Sequence, residues 1–128
     1  MKIFHSVAST LVGLGLLMLS QTAAAWPSSV VGTWNVRANQ SLGTMNITSQ
    51  SSGAGPCQQI LGTILGFPLQ GFYCPATGRI QFLRKNALND TFQVYSANLT
   101  STGATNFMGG SFSSYDAALG EYSFFGSK

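Results

Sequence analysis

The sequence predicts an all-β protein: an eight-stranded antiparallel up-and-down β-barrel with one intrachain disulfide. Runs rich in Val, Ile, Thr, Phe and Tyr recur along the chain, separated at roughly ten-residue intervals by clusters of Ser, Thr, Asn, Gly and Pro. Past Ala25 no run has convincing helical periodicity, and the polar residues are mostly Ser, Thr, Asn and Gln, which suit the outward faces of strands and serve helices poorly. An even number of consecutive hairpins can close on itself and leave no strand edge exposed. A two-sheet sandwich is the alternative arrangement of the same strands.

Residues 1–25 read as a cleaved secretory signal. Lys2 supplies a basic start, Val7 to Leu19 an apolar run, and Ala23-Ala24-Ala25 the small residues that a signal peptidase reads. The run falls short of the about 20 residues a spanning helix needs, so no membrane span is expected. The expected mature chain, residues 26–128, is a single secreted or periplasmic domain, small enough to benefit from a staple. In an oxidising compartment Cys57 and Cys74, the only cysteines, are expected to pair.

Val30 to Ala38 is the first strand, with Val30, Gly32, Trp34 and Val36 on one face and Trp34 plugging one end of the barrel. Leu42 to Ser49 follows, Met45 and Ile47 alternating with Thr44, Asn46 and Thr48. Residues 51–56 form a loop on composition alone. The Cys57 to Cys74 segment reads as a hairpin. If its cysteines face each other, Ile60 stands opposite Gly71 and Gly62 opposite Leu69. The turn then falls at Leu65-Gly66, where glycine supplies a positive φ. Pro68 cannot donate to a ladder and is expected at an edge or a bulge. After a turn at Pro75 to Gly78, the strand Arg79 to Asn86 carries Ile80, Phe82 and Arg84 on one side. Thr91 to Leu99 follows, then a turn at residues 100–103. The next strand, Asn106 to Tyr115, contains Gly109-Gly110, which suggests a bend or bulge. Glu121 to Ser127 closes the chain with Tyr122, Phe124 and Gly126 on one face.

Charge is sparse. Past residue 25, Arg37, Arg79, Arg84, Lys85 and Lys128 face only Asp90, Asp116 and Glu121. No basic cluster exists beyond Arg84-Lys85, so nucleic-acid binding lacks its electrostatic footprint. The only histidine, His5, lies in the leader, which removes Ser–His–Asp and Cys–His catalysis and histidine metal sites from the mature chain. Acid–base work would need two of Asp90, Asp116 and Glu121. Asp116 reads as a turn residue and Glu121 as a strand-start surface charge, so neither an enzyme nor a cofactor is expected. Asn39, Asn46, Asn89 and Asn98 head N-glycosylation patterns of the kind that chance supplies in a chain rich in Ser and Thr.

Gly32-Thr33-Trp34 at the start of such a chain resembles the calycin barrels, and among them the avidin/streptavidin family most. Leu61-Gly62-Thr63-Ile64 resembles that family's third strand, and Pro68-Leu69-Gln70-Gly71 the Pro-Leu-x-Gly before its fifth. Gln81 to Asn86 followed by Asp90-Thr91-Phe92 is similar to its strand ending in Lys-Asn, loop and Thr-aromatic, and Gly120 with Phe124 to its last strand. The resemblance covers most of the chain past residue 25 through short motifs. It implies a homotetramer of barrels, each holding biotin in its mouth between tryptophans, so a homo-oligomer is expected. At the positions that meet biotin the chain departs from the family. Val36 stands in place of Asn, Ile64 in place of Tyr, Arg84 and Phe92 in place of Trp, and Tyr122 in place of an acid or amide. Asn35 is one residue off and faces outward. The departures point away from biotin itself, toward a biotin-like molecule or another carboxylate.

On this reading Arg84, Asp90, Phe92, Tyr122 and Phe82 line a ligand site, while Trp34, Cys57 and Cys74 are structural. Ile80, Phe82 and Arg84 point inward beside Asp90 and Phe92. Arg84 meets an anionic group of a small molecule, and Phe92 and Tyr122 form the walls. The structural alternative pairs Arg84 with Asp90 or packs it under Trp34. Phe67, Phe72, Tyr95, Phe107 and Phe112 are expected in the core or in subunit contacts. The alternative function is a protein-interaction or inhibitor module of the cell envelope, its barrel filled by side chains and its surface carrying an aromatic patch.

Overall fold

The computed structural model describes residues 26–52 and 55–128, so the expected leader and His5 lie outside the described residues. Eight strands follow one another: β1 (Gly32–Ala38), β2 (Ser41–Gln50), β3 (Gln58–Ile64), β4 (Phe67–Cys74), β5 (Arg79–Lys85), β6 (Thr91–Thr102), β7 (Thr105–Ser114) and β8 (Gly120–Ser127). Each pairs antiparallel with the next, and β8 returns to β1, so the sheet closes into a barrel rather than splitting into a sandwich. Among the described residues no helix is long and apolar enough to cross a membrane.

The β3–β4 hairpin has the register its cysteines dictate. Ile60 faces Gly71, Gly62 faces Leu69, and Cys57 and Cys74 are bonded. Leu65 and Gly66 both take positive φ, 49° and 82°, the mirror-image turn whose twist matches that of the flanking strands. A non-glycine residue is strained in that conformation. Leu65 is held there because its side chain packs on the core beside Gly43, where an added Cβ would lie 2.3 Å from Leu65 Cδ2. Pro68 sits one residue past the last β4–β5 pair, Leu69 with Arg84, at the free end of that ladder.

Two sequence expectations are corrected. Gly109-Gly110 is not a bulge, because the β6–β7 register runs unbroken from Gln93–Ser114 to Thr102–Thr105. Gly110 serves a close approach instead: a Cβ there would lie 2.0 Å from the Ser96 carbonyl oxygen. The irregularities fall at Thr48 of β2 and Phe92 of β6, each an extra residue against its partner strand. The last β6–β7 turn also falls later than expected, since β6 runs to Thr102.

The lumen is full. Phe82, Tyr95, Phe112 and Tyr122 are successive cross-strand partners on β5 to β8. Their rings lie 4.8, 4.7 and 5.3 Å apart, nearly parallel at first and then tilted. Phe124 meets the Phe82 and Tyr95 rings edge-on at 6.0 and 5.0 Å. Below them Trp34, Tyr73, Met45, Ile47, Ile60 and Ile80 are wholly buried. Trp34 plugs the base as expected, its indole N–H donating to the Val30 carbonyl at 2.9 Å. The segment leading into β1 seals that end. The Tyr73 hydroxyl donates to the Pro27 carbonyl, and the Gln50 amide bridges the Ser28 carbonyl and the Val30 N–H.

Cys57→Ser with Cys74→Ser is expected to lower the unfolding free energy by about 3 kcal/mol, read from urea melts, because the bridge closes a loop of 17 residues' separation. Gly71→Ala is expected to cost about 1–3 kcal/mol in the same melts, since its Cβ would press 2.0 Å from the Gln81 carbonyl and 2.6 Å from Phe82 Cβ at the end of the aromatic row. Gly66→Asn, at an open turn position with nothing within 4 Å, should cost far less.

Candidate functional site

The barrel is open at the end formed by the β1–β2, β3–β4, β5–β6 and β7–β8 turns. Alternation along the strands sets a second row directly above the aromatic one: Arg84 of β5, Gln93 of β6, Ser114 of β7 and Gly120 of β8 are again cross-strand partners. Arg84, Gln93 and Ser114 of this row, with Leu65, Asn39 and Tyr122, line a cavity of about 180 Å³ floored by Tyr95 and Phe112.

Arg84 is the centre of the site. Its guanidinium donates from Nη1 to Gln93 Oε1 at 3.0 Å and from Nη2 to the Leu65 carbonyl at 3.1 Å. Its Cζ lies 4.6 Å from the centroid of the Phe67 ring and 4.9 Å from that of Phe92. Its Nε is buried without a hydrogen-bond partner among the described residues. Every one of these partners is neutral. The Tyr95 hydroxyl also donates to Gln93 Oε1, at 2.7 Å. Two donors thereby fix that amide's orientation, with its oxygen engaged and its NH₂ left to face elsewhere.

The residues expected here divide three ways. Arg84 and Tyr122 line the mouth together. Phe82 is buried one layer down, stacked on Tyr95, and belongs to the core. Asp90 and Phe92 do not point into the barrel beside Arg84 as expected. The inward residues of β6 are Gln93, Tyr95, Ala97 and Leu99, because Phe82 faces Tyr95 and Arg84 faces Gln93. Phe92 is the bulged residue and reaches the guanidinium from that irregular position. Asp90 is exposed in the β5–β6 turn, its N–H accepted by Asn86 Oδ1, so the expected Arg84–Asp90 pair is replaced by Gln93. The alternative placement of Arg84 under Trp34 also fails, because the rings that flank its guanidinium are Phe67 and Phe92. Gln93, Phe67 and Ser114 were missed as site residues. The signal for Gln93 was present in β6, where Tyr95, Ala97 and Leu99 alternate with Ser96 and Asn98 and mark the odd positions as inward.

Both loops at the mouth are braced. Asn86 Oδ1 accepts the N–H groups of Leu88 and Asp90, Asn86 N–H donates to the Asp90 carbonyl, and Asn89 takes a positive φ of 65°. Asp116 accepts from the Ser114 hydroxyl and the Ala118 N–H, and Tyr122 Oη donates to the Ala118 carbonyl. Leu88 lies in the middle of the β5–β6 loop, and Tyr115 and Leu119 stand at the two ends of the β7–β8 loop, 81%, 62% and 73% exposed.

The outer wall carries two shallower apolar depressions. One of about 400 Å³ runs over Phe72, Leu83 and Val94 between Gln59, Gln70 and Gln81. The other, about 380 Å³, lies at Arg37, Leu42 and Phe125. Phe72 is 38% exposed and Phe125 47%, while Phe112 and Tyr95 are core as expected.

Burial pushes the Tyr95 phenol up to about 12, the nearby Arg84 charge opposing the rise, and burial raises Tyr73 as well. Below pH 10 both tyrosines keep their protons in the folded and unfolded chains alike. Above it the unfolded chain releases protons that the folded one still holds, so stability falls as pH rises. Unfolding free energy is expected to be flat across neutral pH and to drop between about pH 10 and 12. Tyr95→Phe should flatten part of that decline, which urea melts at stepped pH would read. No protein-family model, curated protein or solved structure matches the chain.

Proposed function

We propose that this is an exported, non-catalytic barrel that receives the anionic group of a ligand in its mouth. One observation carries the reading: Arg84 places a permanent positive charge on the inner wall and meets only an amide, a carbonyl and two rings. A buried or half-buried cation is ordinarily matched by an anion, and a guanidinium is shaped to hold a carboxylate. The Gln93 NH₂ adds a donor on the same row. The resemblance to avidins agrees with binding at the mouth. The filled lumen and a cavity of about 180 Å³ support a compact group rather than an engulfed biotin-sized molecule, since sites for drug-sized ligands span roughly 300–1,000 Å³. The carboxylates give no support for catalysis: Asp116 is engaged by its own loop, and Asp90 and Glu121 are exposed.

A second reading, an interaction or inhibitor module of the cell envelope, draws on the filled lumen and on the exposed Phe72 and Phe125 of the outer grooves, which would also serve self-association. The first reading is tested by titrating acetate, benzoate and biotin while following the Gln93 side-chain amide by NMR and the melting temperature. Small carboxylates are expected to shift the amide resonances and raise Tm, and Arg84→Gln should weaken binding at least tenfold. Asp90→Asn should leave it unchanged. A Gln93 amide unmoved by every carboxylate would remove the proposal.

A further inference from the structure

We infer that the anion is delivered by a protein: a single acidic side chain on a protruding segment of a partner enters the cavity, and the apolar lip around the mouth grips the residues beside it. This rests on the anionic-group reading above and names its source.

The size of the hole and the shape of its rim decide between a free acid and a presented one. Leu88, Tyr115 and Leu119 are among the most exposed large apolar side chains of the described residues, yet none of them lines the cavity. A small acid seated on Arg84 would leave all three in water. An occupant that touches both the guanidinium and the lip has to be wider than the hole. The lip is also preorganised, because Asn86 and Asp116 fix the two loops that carry it, so little conformational freedom is lost when it is covered. A desolvated charge at the centre with apolar residues excluding water around it is the arrangement of an interface hot spot.

The remaining charges narrow the partner further. Asp90, Asp116 and Glu121 all stand in or beside the loops at this end, and Lys85 is held by Gln70 Oε1 at 3.1 Å on the outer wall. A strongly acidic surface would be repelled by that rim, whereas one carboxylate amid apolar neighbours would not. The partner segment is therefore a mostly apolar loop with one Asp or Glu at its tip.

The test is a display library of disulfide-cyclised peptides selected on the intact protein and counter-selected on Arg84→Gln. Enriched peptides are expected to carry one Asp or Glu flanked by apolar residues. Replacing that acid by its amide should weaken binding at least tenfold, and so should Leu88→Ser combined with Leu119→Ser, while Phe72→Ser on the outer wall should change nothing. Enriched peptides without an acid, or peptides that bind Arg84→Gln equally well, would overturn the inference. If acetate moves the Gln93 amide but no acidic peptide is enriched, the presented acid falls and the anion-binding mouth stands. If neither binds, both fall.

Discussion

The stack of Phe82, Tyr95, Phe112 and Tyr122 is the constraint from which the rest of the molecule follows. A closed eight-stranded barrel has an interior just wide enough for side chains to fill or for one small ligand. Here four rings from four neighbouring strands occupy it, and Phe124 locks them from the side. Gly71 lets β4 approach the row where any Cβ would strike Gln81 and Phe82. Each aromatic pair adds about 0.5–1.5 kcal/mol beyond burial, and the pairing works only if the registers of β5 to β8 are all correct at once. The ladder thus couples strand register to core packing.

Filling the lumen also decides where chemistry can occur. With the lumen filled, the cavity at the open end is lined by the row above the aromatics and floored by the rings themselves. The alternation that put Phe82, Tyr95 and Phe112 inside puts Arg84, Gln93 and Ser114 two residues nearer the mouth on the same strands, on the same face. Arg84 is supported on every side: Phe67 and Phe92 flank its guanidinium, and the strained turn at Leu65 presents a carbonyl to Nη2. Such a group is held in position before any ligand arrives, which is how a small site gains specificity without a large cavity.

The two ends of the barrel are built for opposite tasks. The base carries the disulfide, the Trp34 plug and the segment at residues 27–30 tied down through Tyr73 and Gln50. The mouth spends its polar side chains on bracing loops rather than on closing them, and leaves Leu88, Tyr115 and Leu119 in water.

Local pattern was enough to find the strands and their order, because a two-residue period and turn-forming residues act within a few positions. It was also enough for the β3–β4 register, because the cysteine pair and the Leu65-Gly66 turn independently demand the same alignment. Arg84 and Tyr122 could be read as mouth residues on the same ground. What the chain alone left open was set by contacts between strands far apart in sequence. A bulge at Phe92, set by the pairing of β6 with β5, breaks the alternation at the start of β6 and delivers an aromatic to Arg84 from the irregular position. Asp90 is absent from the expected site, and from the alternative pairing with Arg84, because its loop turns it outward, while Gln93, two positions beyond the strand's start, stands opposite the arginine. Composition could not say whether the barrel was hollow. That was decided by how many large inward side chains meet once the ring of strands closes, a property of volume in three dimensions that no one strand contains.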